Sequence, residues 1–257
     1  MIATAMSTLN TRSRKKNPGD EGGGATGVGS PVWLVIPAYN EADVIGETLL
    51  RLPLGIFAQV VVADNGSTDE TCVQAEKAGA RVVSTREKGY GAACLRALEE
   101  APDEAILVFL QADGSEDAAE AGHLVGPIER GEADLVIGSR VLGNAAPGAL
   151  RSHQRFGNWL ATRLLNLFWG AKATDLGPFR AIRAGVLRNL GMRDRNYGWT
   201  IEMQVKAAQQ RLRVVEVPVS YGLRQAGEEK VSGNWQASLR AGIKILWVIA
   251  RSVIHPA

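Results

Sequence analysis

The sequence predicts an α/β fold, a mostly parallel sheet covered by helices on both faces. Short apolar, β-rich runs recur at Val32–Ala38, Gln59–Ala63, Ala80–Ser84, Ala105–Leu110 and Asp134–Gly138, and helix-like stretches near 43–52, 69–78, 89–100 and 116–130 separate them. Strands this apolar are buried on both faces, as parallel strands joined by helical crossovers are. The polar motifs also fall regularly: "PAYNE" follows the first strand, "DNGSTD" the second, "EKGYG" the third and "QADGSED" the fourth. Ligands of such sheets bind outside the carboxyl ends of the strands, so four polar turns on one edge mark one site.

The chain has 257 residues, 46% of them hydrophobic and 22% charged, enough to bury a sizeable core in one large domain or two small ones. Its net charge of +2 gives no global field that would draw nucleic acid. Cys72 and Cys94 fall in helix-like stretches without metal-ligand spacing and read as reduced core thiols of a cytosolic protein. The N-terminus lacks the apolar region of a signal peptide. The longest C-terminal apolar stretch, Ile245 to Ala250, lies between Lys244 and Arg251 and is far short of a membrane span. The stretch "TRSRKKNPGDEGGGATGVGS" is basic, then glycine-rich and aperiodic, so residues 1–30 are expected to form a disordered tail. No strand precedes its glycines and no Gly-Lys-Ser/Thr follows, which excludes a phosphate loop.

Taken in order, the first strand ends in "PAYNE" and leads into the first helix. The second ends at Asp64, turns on Gly66 and enters a helix at Ser67 or Thr68, where Asp69 and Glu70 complement the helix dipole. Asp64 precedes that cap and is free in sequence terms to accept a hydrogen bond from a base N–H. After the third strand, "KGYGAA" sets Lys88 and two glycines at a helix start, offering charge and backbone N–H groups to phosphate or ribose. It is not the dinucleotide fingerprint, whose strand–GxGxxG–helix spacing is missing. The fourth strand runs into Asp113, and Gln111 stands where a paired-carboxylate site would hold a second acid. Glu116 and Asp117 read as dipole-facing acids at a helix start.

The second half is less regular. A basic amphipathic helix is expected from about Gln154 to Trp169, then "DLGPFRAIR", a helix near Thr200–Gln210, a strand at Val214–Tyr221 and a final helix from about Asn234. Five of the six tryptophans lie here, fitting either a surface that meets something partly apolar or an ordinary core. On the final helix Trp235, Leu239, Ile243, Leu246, Ala250, Val253 and Ile254 make one apolar face, with Arg240, Lys244 and Arg251 as a basic stripe beside Trp247. Such a helix either lies on an anionic membrane surface or packs on its own domain with a basic edge exposed. His123, His153 and His255 have no spacing for a shared metal.

"VIPAYNEADVIGETL", "VVADNGSTDET", "KGYGAACLRAL" and "QADGS", in this order and spacing, resemble the family 2 glycosyltransferases with the GT-A fold. "DLGPFRAIR", "YGWTIEMQVKAA", "LRVVEVPVSY" and "KVSG" before a long helix resemble the dolichyl/polyprenyl-phosphate mannosyl- and glucosyltransferase branch. The likeness runs from about Val32 to Leu246. It implies that Pro37, Tyr39, Asn40 and Glu41 line the nucleotide pocket, that Asp64 reads the base, and that Lys88 and Gly89 lie near the ribose and sugar. It makes Asp113 the last acid of a metal-binding Asp-x-Asp whose first acid is here Gln111. A Mg²⁺ or Mn²⁺ site with one acid remains workable, because the pyrophosphate brings its own oxygens and Mg²⁺ commonly uses one or two carboxylates.

The implied reaction is inverting displacement at the anomeric carbon of a nucleotide-sugar donor, with a polyprenyl phosphate as acceptor. An anionic phosphate needs no general base, whereas a hydroxyl acceptor would, and Glu202 and Asp175 are the candidates. Arg140, Arg180, Arg224 and Lys230 are the candidate phosphate ligands, although Glu228 and Glu229 make their loop less basic than in relatives. The resemblance divides the chain into the tail at 1–30, a GT-A domain at 31–233 and an amphipathic membrane-surface helix at 234–257. It implies a cytoplasmic protein at the inner face of the membrane, with no nucleic-acid partner. Two alternatives stay open: transfer to a soluble hydroxyl acceptor, and, given the missing first acid, nucleotide-sugar binding without turnover.

Overall fold

The computed structural model describes residues 29–224 and 235–254, with side chains of the second segment from Arg240 onward. The expected tail up to residue 28, and Lys230, Glu228 and Glu229, lie outside the described residues. The described strands form one sheet in the order β3-β2-β1-β4-β6-β5-β7. β1 (Val32–Ala38), β2 (Gln59–Asp64), β3 (Arg81–Ser84) and β4 (Ile106–Phe109) are mutually parallel. β5 (Leu135–Ala145) and β7 (Val214–Tyr221) are parallel to each other, and β6 (Arg180–Arg183) runs antiparallel between β4 and β5. The helices are α1 (Ala42–Leu50), α2 (Thr71–Lys77), α3 (Tyr90–Glu100), α4 (Ala121–Glu129), α5 (Ser152–Trp169), α6 (Ala184–Asn189), α7 (Trp199–Gln209) and α8 (Trp235–Ile254). The mostly parallel α/β sheet is the fold the sequence predicts.

Successive β1 residues enter different cores, which is why the strands read as unbroken apolar runs. Leu34 and Ile36 pack with Val108 and Leu124 on one face, while Val35 packs with Leu107, Phe109 and Trp199 on the other. A third cluster joins Leu165 of α5, Ile201 and Val205 of α7, and Val248 and Ile249 of α8. The final helix is therefore docked on the body of the protein, yet Ile243, Leu246, Trp247, Val253 and Ile254 remain exposed. The tryptophans divide the same way: Trp199 is core, and Trp159 and Trp247 face outward.

Strand β6 and helix α6 lie in a segment where the sequence offers no pattern. Arg-Ala-Ile-Arg carries two apolar residues between two charges, and its strand conformation is imposed by pairing with β4 and β5 on either side. The stretch expected as one helix at 116–130 begins instead with an isolated bridge from Glu116 to Tyr221. A short 3₁₀ turn follows, capped by the Asp117 carboxylate, which accepts from the Ala119 N–H. β5 carries a register shift between Ser139 and Asn144. Gly143 sits inside it, where any Cβ would stand 2.0 Å from the Val219 carbonyl oxygen.

Candidate active site

The turns after β1, β2 and β3 are bound to one another. The Asn40 N–H donates to Ser67 Oγ at 2.9 Å, Asn40 Oδ1 accepts from the Thr68 N–H at 2.8 Å, and the Glu41 N–H donates to Thr71 Oγ1 at 2.8 Å. Asn65 links the next pair, accepting from the Gly89 N–H at 2.6 Å and donating to the Glu87 carbonyl at 2.9 Å. Sequence reasoning passed over Asn65, although its place directly after Asp64 at a strand end was a usable signal. Asp64 itself is buried and accepts from the Gly66 and Ser67 N–H groups at 3.1 and 3.0 Å. It holds the turn, and a contact to a base would use the remaining lone pairs of the same carboxylate.

The glycines of "KGYG" serve a different end from the one expected. A Cβ at Gly89 would lie 2.0 Å from the Arg195 carbonyl oxygen, and one at Gly91 2.2 Å from that of Asp194. The Ala92 N–H donates to the Arg195 carbonyl at 3.0 Å. These glycines admit the chain at 194–196 against the start of α3, and the Gly89 and Ala92 amides are already engaged rather than open to phosphate. Lys88 remains exposed and lines the cavity.

The strand ends surround a cavity of about 1690 Å³, whose polar wall includes Tyr39, Glu41, Lys88, Gln111, Asp113 and Arg140. Ser115 Oγ donates to Asp113 Oδ1 at 2.6 Å and lies 3.4 Å from Gln111 Oε1. One hydroxyl thus reaches both oxygens, so the amide and the carboxylate converge on a single point. Such a pair of hard oxygen donors fits Mg²⁺ or Mn²⁺ when a substrate supplies further oxygens. Among the described residues no group of three His, Cys, Asp or Glu could hold a metal by itself.

Glu116 was expected as a surface acid and is buried beside this pair. Its Oε2 accepts from the Gln111 N–H at 2.8 Å, and its Oε1 has no hydrogen-bond partner. Burial, reinforced by the Asp113 charge and opposed by the Gln111 hydrogen bond and by Arg140, pushes its carboxyl up to about 8. The folded protein therefore holds a proton that an unfolded chain releases in the ordinary carboxylate range. This contribution is complete below that range and is lost as pH rises toward about 8. Glu116→Gln is expected to flatten the fall in melting temperature between about pH 5 and pH 8 in metal-free buffer. Melting curves with the same pH slope in both proteins would refute this.

Arg140 is a mostly buried cation of the cavity wall. Its Nε and Nη2 donate to Asp175 Oδ2 and Oδ1 at 2.8 and 2.7 Å, its backbone N–H adds a third bond to Oδ2 at 2.8 Å, and its guanidinium lies 5.1 Å from the Tyr221 ring centroid. Burial alone would lower the Arg140 pKa. The Asp175 bonds and charge outweigh it, so the group is held above its ordinary value.

Several candidate residues take other roles. Asp175 does not serve as a base facing the cavity: it is fully buried and its carboxylate braces Arg140. Arg180 is no phosphate ligand, being fully buried and donating to the carbonyls of Leu176, Gly177 and Thr200. Without a paired carboxylate, burial lowers it to about 10. Glu202 faces away from the cavity, accepting from the Arg193 and Asp194 N–H groups and pairing with Lys206 Nζ at 2.8 Å. Arg224 lies against Glu41 and 3.4 Å from Asp113 Oδ2, so its charge is engaged by these two carboxylates of the cavity wall. The Arg140–Asp175, Arg224–Glu41 and Arg224–Asp113 pairings join distant parts of the chain, which no local motif reveals.

The sequence profile of "Glycosyl transferase family 2" matches residues 33–191. An uncharacterised glycosyltransferase of Mycobacterium bovis is 38% identical over 225 residues, covering 86% of this chain and 99% of the relative. An undecaprenyl-phosphate mannosyltransferase of Micrococcus luteus is 30% identical over 79% of this chain and 88% of its own. A dolichyl-phosphate hexose transferase of Haloferax volcanii is 32% identical over 77% and 85%. In fold, the chain superposes on glucosyl-3-phosphoglycerate synthase of Mycobacterium tuberculosis with a TM-score of 0.70 at 23% identity, covering 89% of this chain and 82% of that one. With the strand-end cavity and these relatives together, the chain belongs to glycosyl transferase family 2 and is a glycosyltransferase of the GT-A fold.

Proposed function

We propose that this enzyme moves one sugar from a nucleotide-sugar donor to a polyprenyl phosphate at a membrane surface. The observation that carries the proposal is the composition of the cavity. Its walls include the polar strand-end turns and also Phe156, Trp159 and Leu160 of α5 with Ile243 and Leu246 of α8. A diphosphate-linked sugar needs the first wall, and an isoprenoid chain needs the second. Phe156, Trp159, Leu167 and Phe168 on α5 are exposed beside the apolar outer face of α8, a surface suited to a bilayer interface. No helix of the described residues is long and apolar enough to cross a membrane, so the attachment proposed is peripheral, from the cytoplasmic side. The relatives that act on undecaprenyl phosphate and dolichyl phosphate support the same acceptor class.

In this reading Pro37, Tyr39 and Glu41 flank the nucleotide, Asn40 and Asn65 fix the turns around it, Asp64 faces the base, and Lys88 lies near the ribose and sugar. Asp113 and Gln111 would hold Mg²⁺ or Mn²⁺, which supplies positive charge to the departing diphosphate. Arg140 orients the acceptor phosphate, whose oxygen attacks the anomeric carbon as the bond to the diphosphate breaks, inverting the configuration. Asp175 and Glu202 are both engaged elsewhere, which suits an acceptor that is anionic before it arrives and needs no base.

The test is a donor panel offered to the purified enzyme with Mn²⁺ and either a polyprenyl phosphate in detergent or phosphoglyceric acid, the compound bound beside UDP-glucose in the structure of the fold neighbour. Release of nucleoside diphosphate with sugar in the organic phase is expected. Sugar recovered solely in a water-soluble product would overturn the lipid acceptor, and donor binding without release would overturn turnover.

A further inference from the structure

A second cleft, of about 590 Å³, lies on the other side of α8, and nothing in the transfer reaction uses it. Five basic side chains line it, Arg193, Arg195, Lys206, Lys244 and Arg251, against the carboxylates of Asp194 and Glu202. Each carboxylate already has its own lysine: Lys244 Nζ is 2.9 Å from Asp194 Oδ2, and Lys206 Nζ is 2.8 Å from Glu202 Oε1. Arg195 reaches Glu87 only at 3.6 Å between half-exposed partners. Arg193 and Arg251 have no carboxylate in salt-bridge range among the described residues. Positive charge is thus in excess here, drawn from the 191–196 turn, α7 and α8. Trp247 stands half-exposed at this cleft, with Lys244 Nζ 4.7 Å and the Arg251 guanidinium 5.2 Å from its ring.

We propose that this cleft holds the phosphate headgroup of an anionic bilayer phospholipid, distinct from the acceptor lipid. This rests on the membrane-surface reading given above and adds a specific site to it. The occupant follows from charge and polarity together. The cations suit a phosphodiester, Trp247 suits the water–hydrocarbon boundary, and the end of the same helix carries exposed Val253 and Ile254 for the acyl region. A free phosphate would satisfy the cations but would leave that apolar margin without a function.

Flotation with vesicles of phosphatidylcholine, alone or mixed in equal parts with phosphatidylglycerol, tests the site. A basic side chain near an anionic surface contributes about fivefold in affinity, so Arg193→Gln with Arg251→Gln should weaken binding to the mixed vesicles on the order of tenfold or more. Binding to phosphatidylcholine alone should be unchanged. A control pair, Arg51→Gln at the end of α1 with Lys77→Gln of α2, removes the same charge from residues that do not line the cleft and should behave as wild type. Equal loss in the control, or no loss in the cleft variant, overturns the site while leaving membrane attachment intact. Failure of the wild type to float with either vesicle overturns the membrane reading itself. Saturable binding of glycerol phosphate without vesicles, abolished in the cleft variant, would overturn the lipid assignment in favour of a soluble phosphate.

Discussion

Asp113→Ala is expected to abolish sugar transfer, by on the order of a thousandfold or more, the scale of losing a group that stabilises developing charge. In the proposed metal site Asp113 would be the one charged carboxylate, since Gln111 would contribute an uncharged oxygen and burial pushes the Glu116 carboxyl up to about 8. No neighbour can take its place: Glu41 is paired with Arg224, and Asp117 caps the 3₁₀ turn. The substitution removes the acceptor of the Ser115 N–H and Oγ bonds. Ser115 is buried, so a loss of about 1 kcal/mol in stability is expected, far less than is needed to unfold the domain. The check is therefore twofold: turnover with Mg²⁺ or Mn²⁺, and Mn²⁺ binding in the presence of nucleoside diphosphate, followed by paramagnetic resonance. A well-folded variant with near-normal turnover would remove Asp113 from the chemistry.

What could be read from the sequence depended on how local the cause was. The β1, β2 and β4 runs were legible because burial on both faces leaves a continuous apolar signature, and the turns were legible because polar residues must follow it. Asp113 and Gln111 were singled out for that reason. β6 was not, because four residues with arginine at each end take their strand form from neighbours far along the chain. The expectations for Glu202, Asp175 and Arg180 met a different obstacle. Glu202, Asp175 and Arg180 are charged residues in recognisable motifs, and a motif does not say whether a side chain faces a cavity or a buried partner. The Arg193 and Asp194 amides, the Arg140 guanidinium and the Leu176–Gly177 carbonyls decided those cases. Glu116 was misplaced for the converse reason: an acid just past a strand looks like a surface cap until Tyr221 is seen to bridge to it.

Arg140 carries the second large effect, because its roles in stability and in recognition can be separated. Arg140→Ala leaves the Asp175 side chain, 1% exposed, as an uncompensated buried charge, a defect that typically costs about 3–5 kcal/mol. Loss of activity in that variant would therefore prove little. Arg140→Met with Asp175→Asn removes both charges, and replacing a buried pair by neutral groups is often close to neutral in stability. The double variant is expected to regain most of the melting temperature lost in Arg140→Ala while transfer to polyprenyl phosphate stays down by about a hundredfold, the value of a charged, bidentate phosphate contact. Donor affinity, read as nucleoside diphosphate binding, should stay close to wild type. If transfer returns together with stability, Arg140 is a brace and the acceptor phosphate is bound elsewhere. Arg140→Lys sharpens the distinction, since it keeps the charge and loses the planar fork. It should raise the KM for the acceptor more than it lowers kcat. The pH profile gives an independent reading once Glu116, which titrates at about 8 beside Asp113, is removed by Glu116→Gln. Asp175 keeps Arg140 charged throughout the workable range, so turnover of that variant should follow only the second ionisation of the acceptor phosphate and be flat above about pH 6. A further rising limb would signal a general base and a hydroxyl acceptor.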